Sequence, residues 1–151
     1  MGSLADAFPD DIRNQYAESQ IECGSVIFLR DPIAGKHKFH VIVGFDGERV
    51  LAATVRINSE INENIYNTPE KRSMCHPVSP DTLPFLDHDS FIPCDQIIEW
   101  NRKVIVSLIK SDSSIVLGVL PIDELEIVQL KIATAPTISL RTKRKFGLVF
   151  E

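Results

Sequence analysis

Three short patches hold the residues of this chain best suited to moving protons or holding an anion. They are Lys36-His37-Lys38-Phe39-His40, Ile57-Asn58-Ser59 and Asp87-His88-Asp89-Ser90. Histidine titrates closer to neutral pH than any other side chain, so His37 and His40 are candidate general acids or bases. Lys38 supplies a positive charge for a developing oxyanion, and Asn58, Ser59 and Ser90 supply hydrogen bonds that could position a phosphate. Each patch also has a plainer reading. One histidine packs where a strand begins while the other stays in water, and Asn58-Ser59 caps a turn through its local backbone. In an extended segment, side chains three apart point to opposite faces. His37 and His40 therefore make a poor metal pair, and no metal site is expected.

Other chemistries lack their signatures. No serine sits in a GxSxG elbow, which argues against a hydrolase triad assembled from serine, histidine and aspartate. No GxxxxGK[ST] or GxGxxG cradle for a nucleotide is present. Cys75 and Cys94 could offer thiols, but isolated cysteines more often serve as small buried hydrophobes. A weaker alternative is a small-molecule or metal hydrolase, using His37, His40, His88 and a neighbouring aspartate.

The elements that must carry these patches read as short strands. Pro9 and the acids after it favour a helix start, with Ile12 and Tyr16 four apart on one face. Ser25-Val26-Ile27-Phe28-Leu29 and His40-Val41-Ile42-Val43-Gly44-Phe45 are apolar runs of strand length. Asp46-Gly47 is a hairpin signal, and a third strand follows over residues 49–57. Residues 58–84 are broken by asparagines and prolines, which predicts either a functional loop or a connection holding one short strand near Met74-Cys75-His76. Short strands are expected over residues 90–92 and 97–100. Val104-Ile105-Val106-Ser107-Leu108-Ile109 is ambiguous between helix and strand. From Pro121, the residues Ile122, Leu125, Val128 and Ile132 mark one face of a second helix.

With 151 residues, 44% of them hydrophobic and 25% charged, the chain has the composition of a soluble globular protein and is expected to form a single domain over 1–151. Within it, residues 1–22 read as a helical extension, 23–132 as a barrel core with its flanking helix, and 133–151 as a basic C-terminal segment. The net charge is −5, with the basic residues concentrated late in Arg141-Thr142-Lys143-Arg144-Lys145. An acidic balance does not announce nucleic-acid binding, so any such role needs a local basic groove. No apolar run reaches the length of a membrane span, and no secretory leader is evident, so no membrane association is expected. Three cysteines without a CxxC pair argue against a disulfide framework and point to a reducing, cytoplasmic setting.

The order of the patches resembles the MazF/PemK-like growth-inhibitor family, toxins of bacterial type II toxin–antitoxin systems. Gly24-Ser25-Val26-Ile27-Phe28 is similar to the family's first strand, and Lys36 to Val43 to its second. Ile57-Asn58-Ser59 stands where the family often has Ile-Thr-Ser, and Asp89-Ser90-Phe91-Ile92 resembles a later Asp-Ser-hydrophobe step. The resemblance implies an α+β, mainly β fold: a small SH3-like barrel of PemK/MazF type with a short N-terminal helix and a C-terminal helix. It implies a metal-independent endoribonuclease acting on single-stranded RNA without a cofactor, a homodimer, and a protein antitoxin as partner. His37, Lys38, His40, Asn58 and Ser59 would then carry catalysis, and Phe39, His88, Asp89, Ser90 and Phe91 would bind substrate. Two departures cut against cleavage. Lys38-Phe39-His40 replaces an Arg-Pro step, losing the bidentate guanidinium, and Asn58 replaces a hydroxyl. The competing expectation is therefore a non-catalytic barrel that binds a protein or nucleic-acid partner.

Overall fold

In the computed structural model, residues 9–150 are described. Their frame is an antiparallel sheet of five strands in the order β6-β3-β2-β1-β7. The strands are β1 (Ser25–Arg30), β2 (His37–Phe45), β3 (Leu51–Arg56), β6 (Ile98–Asn101) and β7 (Val116–Val119). A separate two-stranded ribbon joins β4 (Cys75–Val78) to β5 (Ser90–Pro93). A single bridge from Asn58 to Phe91 ties this ribbon to the chain leaving β3. Helices α1 (Asp10–Ser19), α2 (Pro69–Arg72), α3 (Arg102–Ser111), α4 (Ile122–Thr134) and α5 (Leu140–Lys145) complete the described residues.

The apolar runs lack the polar alternation of a half-exposed strand because the sheet is covered on both faces. On one face, Ile27, Leu29, Ile42 and Ala52 pack with Ala17 and Ile21 and with Ile105, Val106 and Ile109 of α3. On the other, Val26, Val41, Val43, Ala53 and Val55 pack with Val78 and Ile92 of the ribbon, with Leu125, Val128 and Ile132 of α4, and with Phe146 and Leu148. Two small cores thus share one sheet, and β1, β2 and β3 each feed both of them by alternation.

The ambiguous run at residues 104–109 is helical. Asn101 caps its start by accepting from the Lys103 N–H, and Ile105, Val106 and Ile109 fall on one face. The strand at β7 carries no period-two signal that sequence reading could use, since Val116, Leu117 and Gly118 are all only half-buried. The basic segment contains a helix, and Ser139 caps α5 by accepting from the Thr142 N–H. There Lys143 Nζ donates to the Ala135 carbonyl at 2.8 Å, and Lys145 Nζ reaches Glu99 at 3.1 Å.

The second and third strands meet in a tight loop in which Asp46 Oδ1 accepts from the N–H groups of Val50 and Leu51 at 2.7 and 3.0 Å. Arg49 there adopts a φ of 58°, the left-handed region that few side chains favour. Farther along β2, Val43 is the extra residue of a bulge against β3, and its carbonyl accepts from Gln129 Nε2 of α4 at 2.9 Å. The adjoining Gly44 lies under the C-terminal segment, where an added Cβ would come within 2.5 Å of the Phe146 carbonyl oxygen. Because that contact is backbone, it cannot move aside cheaply. Gly44→Ala should therefore destabilise the fold by about 1–3 kcal/mol, read as a lowered urea midpoint. An unchanged midpoint would show that the C-terminal segment does not sit on β2 in this way.

Candidate active-site groove

The β1–β2 hairpin decides which side chain goes where. Phe28 pairs with Phe39, Ile27 with His40 and Arg30 with His37 across it. Alternation then sends His37 and Phe39 to the face of the ribbon and α4, and His40 to the face of α1 and α3.

On the ribbon side these residues line a groove of about 280 Å³. Phe28, Phe39 and Phe85 form its aromatic wall, with ring centroids 5.3 Å apart between Phe28 and Phe39 and 4.9 Å between Phe39 and Phe85. The His37 ring lies 5.1 Å from Phe28. Lys36, Ser59, Asp87, His88 and Ser90 complete the polar rim. Ser90 is buried, and its Oγ donates to the His88 carbonyl at 3.1 Å, fixing the turn that carries the second imidazole. Asp89 is exposed beside this rim, and Phe91 is half-buried. The Phe91 and Asn58 backbones exchange N–H to carbonyl bonds, both at 2.7 Å, so the second and third patches are joined through their main chains.

Lys38 contributes to the groove wall, but its ammonium is turned to the Asn58 side chain, where Nζ donates to Oδ1 at 2.5 Å. Burial pushes its pKa down, and the nearby charges of Lys36 and Arg56 add to the lowering. Asn58 is thus held by both its backbone and its amide.

His40 is in a different place altogether. It is fully enclosed, with Nε2 3.1 Å from Asp31 Oδ2, Nδ1 3.0 Å from the Lys38 carbonyl and its ring edge-on to Trp100. A side chain with no path to solvent cannot exchange protons with a substrate in the groove. In this structure His40 does not line the groove. Asp31, also fully buried, is the centre of this cluster. Its carboxylate accepts from the N–H groups of Ile33 and Ala34 at 2.8 and 2.9 Å and from Arg56 Nε at 3.0 Å. The signal available in sequence was the Asp31-Pro32 turn, which reads as a loop and conceals the buried carboxylate. Arg56, at the end of β3, had no signal at all.

Burial alone would raise the Asp31 carboxyl, but the Ala34 and Ile33 N–H groups, His40 and Arg56 outweigh it and hold the pKa below the usual range. For His40, burial dominates and pushes the imidazole below its ordinary value, with Arg56 adding to the lowering and the Asp31 and Lys38 contacts resisting it. Elsewhere, burial pushes the thiols of Cys75 and Cys94 up to about 11 and about 12, which leaves neither as a ready nucleophile. His76 pairs with Glu124 and fastens the ribbon to α4, outside the groove. Among the described residues, no group of three or more histidine, cysteine, aspartate or glutamate side chains could hold a metal ion. No described helix is long and apolar enough to cross a membrane.

The chain matches no family model and no curated protein. The likeness to MazF/PemK toxins therefore rests on the order and texture of the patches.

Two outcomes follow from the buried cluster. Asp31→Asn leaves Arg56 and His40 facing a neutral amide, and should cost about 3 kcal/mol of stability in a denaturant titration. An effect below about 0.5 kcal/mol would show that the cluster does not hold the hairpin. Both groups have depressed pKa values in the fold, so each contributes stability above its unfolded pKa that is lost as pH falls. Stability should decline on acidification below about 6.5, where unfolded His40 takes up a proton, and again below about 3.9, where unfolded Asp31 does. In Asp31→Asn the lower step should shrink; an identical acid profile would contradict the assignment.

Proposed function

We propose that the groove binds single-stranded RNA and cleaves it without a metal ion. The observation that carries this reading is the meeting, on one 280 Å³ groove, of two imidazoles, an aromatic wall and a polar rim that includes Lys36. Unstacked bases fit against Phe28, Phe39 and Phe85, while Lys36 draws the phosphate. One imidazole of the His37 and His88 pair takes the proton of a ribose 2′-hydroxyl, whose oxygen attacks the adjacent phosphorus. The other gives a proton to the departing 5′-oxygen as the P–O5′ bond breaks. The products are a 2′,3′-cyclic phosphate and a 5′-hydroxyl, and no atom or electron is needed from elsewhere. Ser59 offers a hydrogen bond to a phosphate oxygen. The reading extends to an SH3-like barrel of the MazF/PemK kind, a cytoplasmic toxin that forms a homodimer and is covered by a protein antitoxin. The patch order supports that extension.

A second reading is a barrel that binds RNA or a protein without cutting it. It is favoured by Asn58, which lies where the toxins have a hydroxyl and is pinned by Lys38 and Phe91. Incubation with single-stranded RNA in EDTA separates the two. Cleavage should pass through a pH optimum between about 5 and 8, and His37→Ala and His88→Ala should each lower the rate by about 10²–10⁴-fold. RNA left intact across that range ends the catalytic reading. Retained RNA binding that Phe39→Ala abolishes would then establish the binding one.

A further inference from the structure

The opposite face of the sheet carries a second groove, of about 550 Å³, between α1, α3 and the loop holding Arg49. Arg13, Arg49, Arg102, Lys103 and Lys110 line it, and Glu18 is the one carboxylate among its described lining residues. For a chain of net charge −5, this concentration of positive charge calls for an explanation.

Arg102 and Arg49 are only loosely matched by the acids beside them. Arg102 touches Glu18 at the limits of useful contact, 3.9 Å from Nη1 to Oε1 and 3.5 Å from Nη2 to the carbonyl, and its buried Nε has no hydrogen-bond partner. Arg49 lies 3.6 Å from Glu22, with both side chains more than half exposed. Lys110 has a short contact, 2.9 Å to Asp10, whose side chain is 80% exposed. Arg102 and Lys103 also open α3 with no acid in its first turn, although the positive end of a helix favours anions there. Like charges are thus gathered where the field already repels them, an arrangement that an anion would relieve.

The guanidiniums are also held in place. Arg13 Nη2 donates to the Lys110 carbonyl at 2.9 Å, spanning the two helices, and Arg49 rests 4.1 Å above the Phe45 ring. Fixed arginine forks suit the paired oxygens of phosphate groups better than a lone carboxylate. We propose that this groove is a binding site for a multiply charged phosphate oxyanion of the pyrophosphate class. The site stands apart from the RNA groove and does not depend on that assignment.

Thermal unfolding with inorganic pyrophosphate tests it, against potassium chloride at matched ionic strength. The midpoint should rise by several degrees at about 10 mM pyrophosphate, and chloride should not reproduce the rise. Titration calorimetry should show at least tenfold weaker binding in the double variant Arg102→Gln, Lys103→Gln. The double variant Lys36→Ala, His37→Ala, altered only in the first groove, should bind as the parent does. A nucleoside diphosphate binding more tightly than pyrophosphate would identify a nucleotide as the source of the phosphates, and equal binding would identify the phosphates alone. The proposal is overturned if pyrophosphate gives no stabilisation, if chloride matches it, or if binding is lost in the first-groove variant and retained in Arg102→Gln, Lys103→Gln.

Discussion

One buried carboxylate organises the molecule. Asp31 sits where β1 ends and is fully enclosed, and its oxygens gather two turn N–H groups, His40 from β2 and Arg56 from β3. A charge in that position is costly unless every lone pair finds a donor, so the three strands are confined to the alignment that supplies the donors. A one-residue slip of β2 would exchange its faces, carrying His40 away from Asp31 and His37 into the core. The cluster therefore fixes the register on which the groove depends, although neither Asp31 nor His40 faces it.

This division of labour follows from strand alternation. Within five residues, β2 sends His37 and Phe39 to the ribbon side and His40 to the helix side. The same sheet thus presents an aromatic groove with two imidazoles on one face and an arginine-rich groove on the other. The hairpin start serves both as a wall for a ligand and as a lid on the buried ion cluster, and Lys38 links the two through Asn58. The electrostatic cost of the cluster and the shape of the groove are consequences of one register.

Much of this was legible in the sequence. The strands at β1, β2 and β3 and the helix at α4 announced themselves by apolar runs, a hairpin signal and a helical stripe. The three polar patches do lie close together, because the bridge between Asn58 and Phe91 draws the last patch against the end of β3. What remained hidden was tertiary. Nothing local distinguishes a histidine enclosed with an aspartate from one on a rim, and Arg56 is an ordinary strand-end cation until Asp31 is placed beneath it. Phe28 and Phe85 are apolar residues like many others, and their role as a wall appears only when β1 and the loop before β5 converge on Phe39. The half-buried β7 and the capped α5 were missed because their patterns are too short to show a period.

The most direct test of the central claim is where RNA touches the protein. An oligoribonucleotide with its 2′-hydroxyls methylated, so that it cannot be cut, should be titrated into the isotope-labelled chain and followed by NMR. The account predicts shifts concentrated at Lys36, His37, Phe39, Ser59 and His88, with the His40 ring and the α1 and α3 backbones unmoved. Shifts centred on α1 and α3, or none at the aromatic groove at saturating RNA, would contradict it.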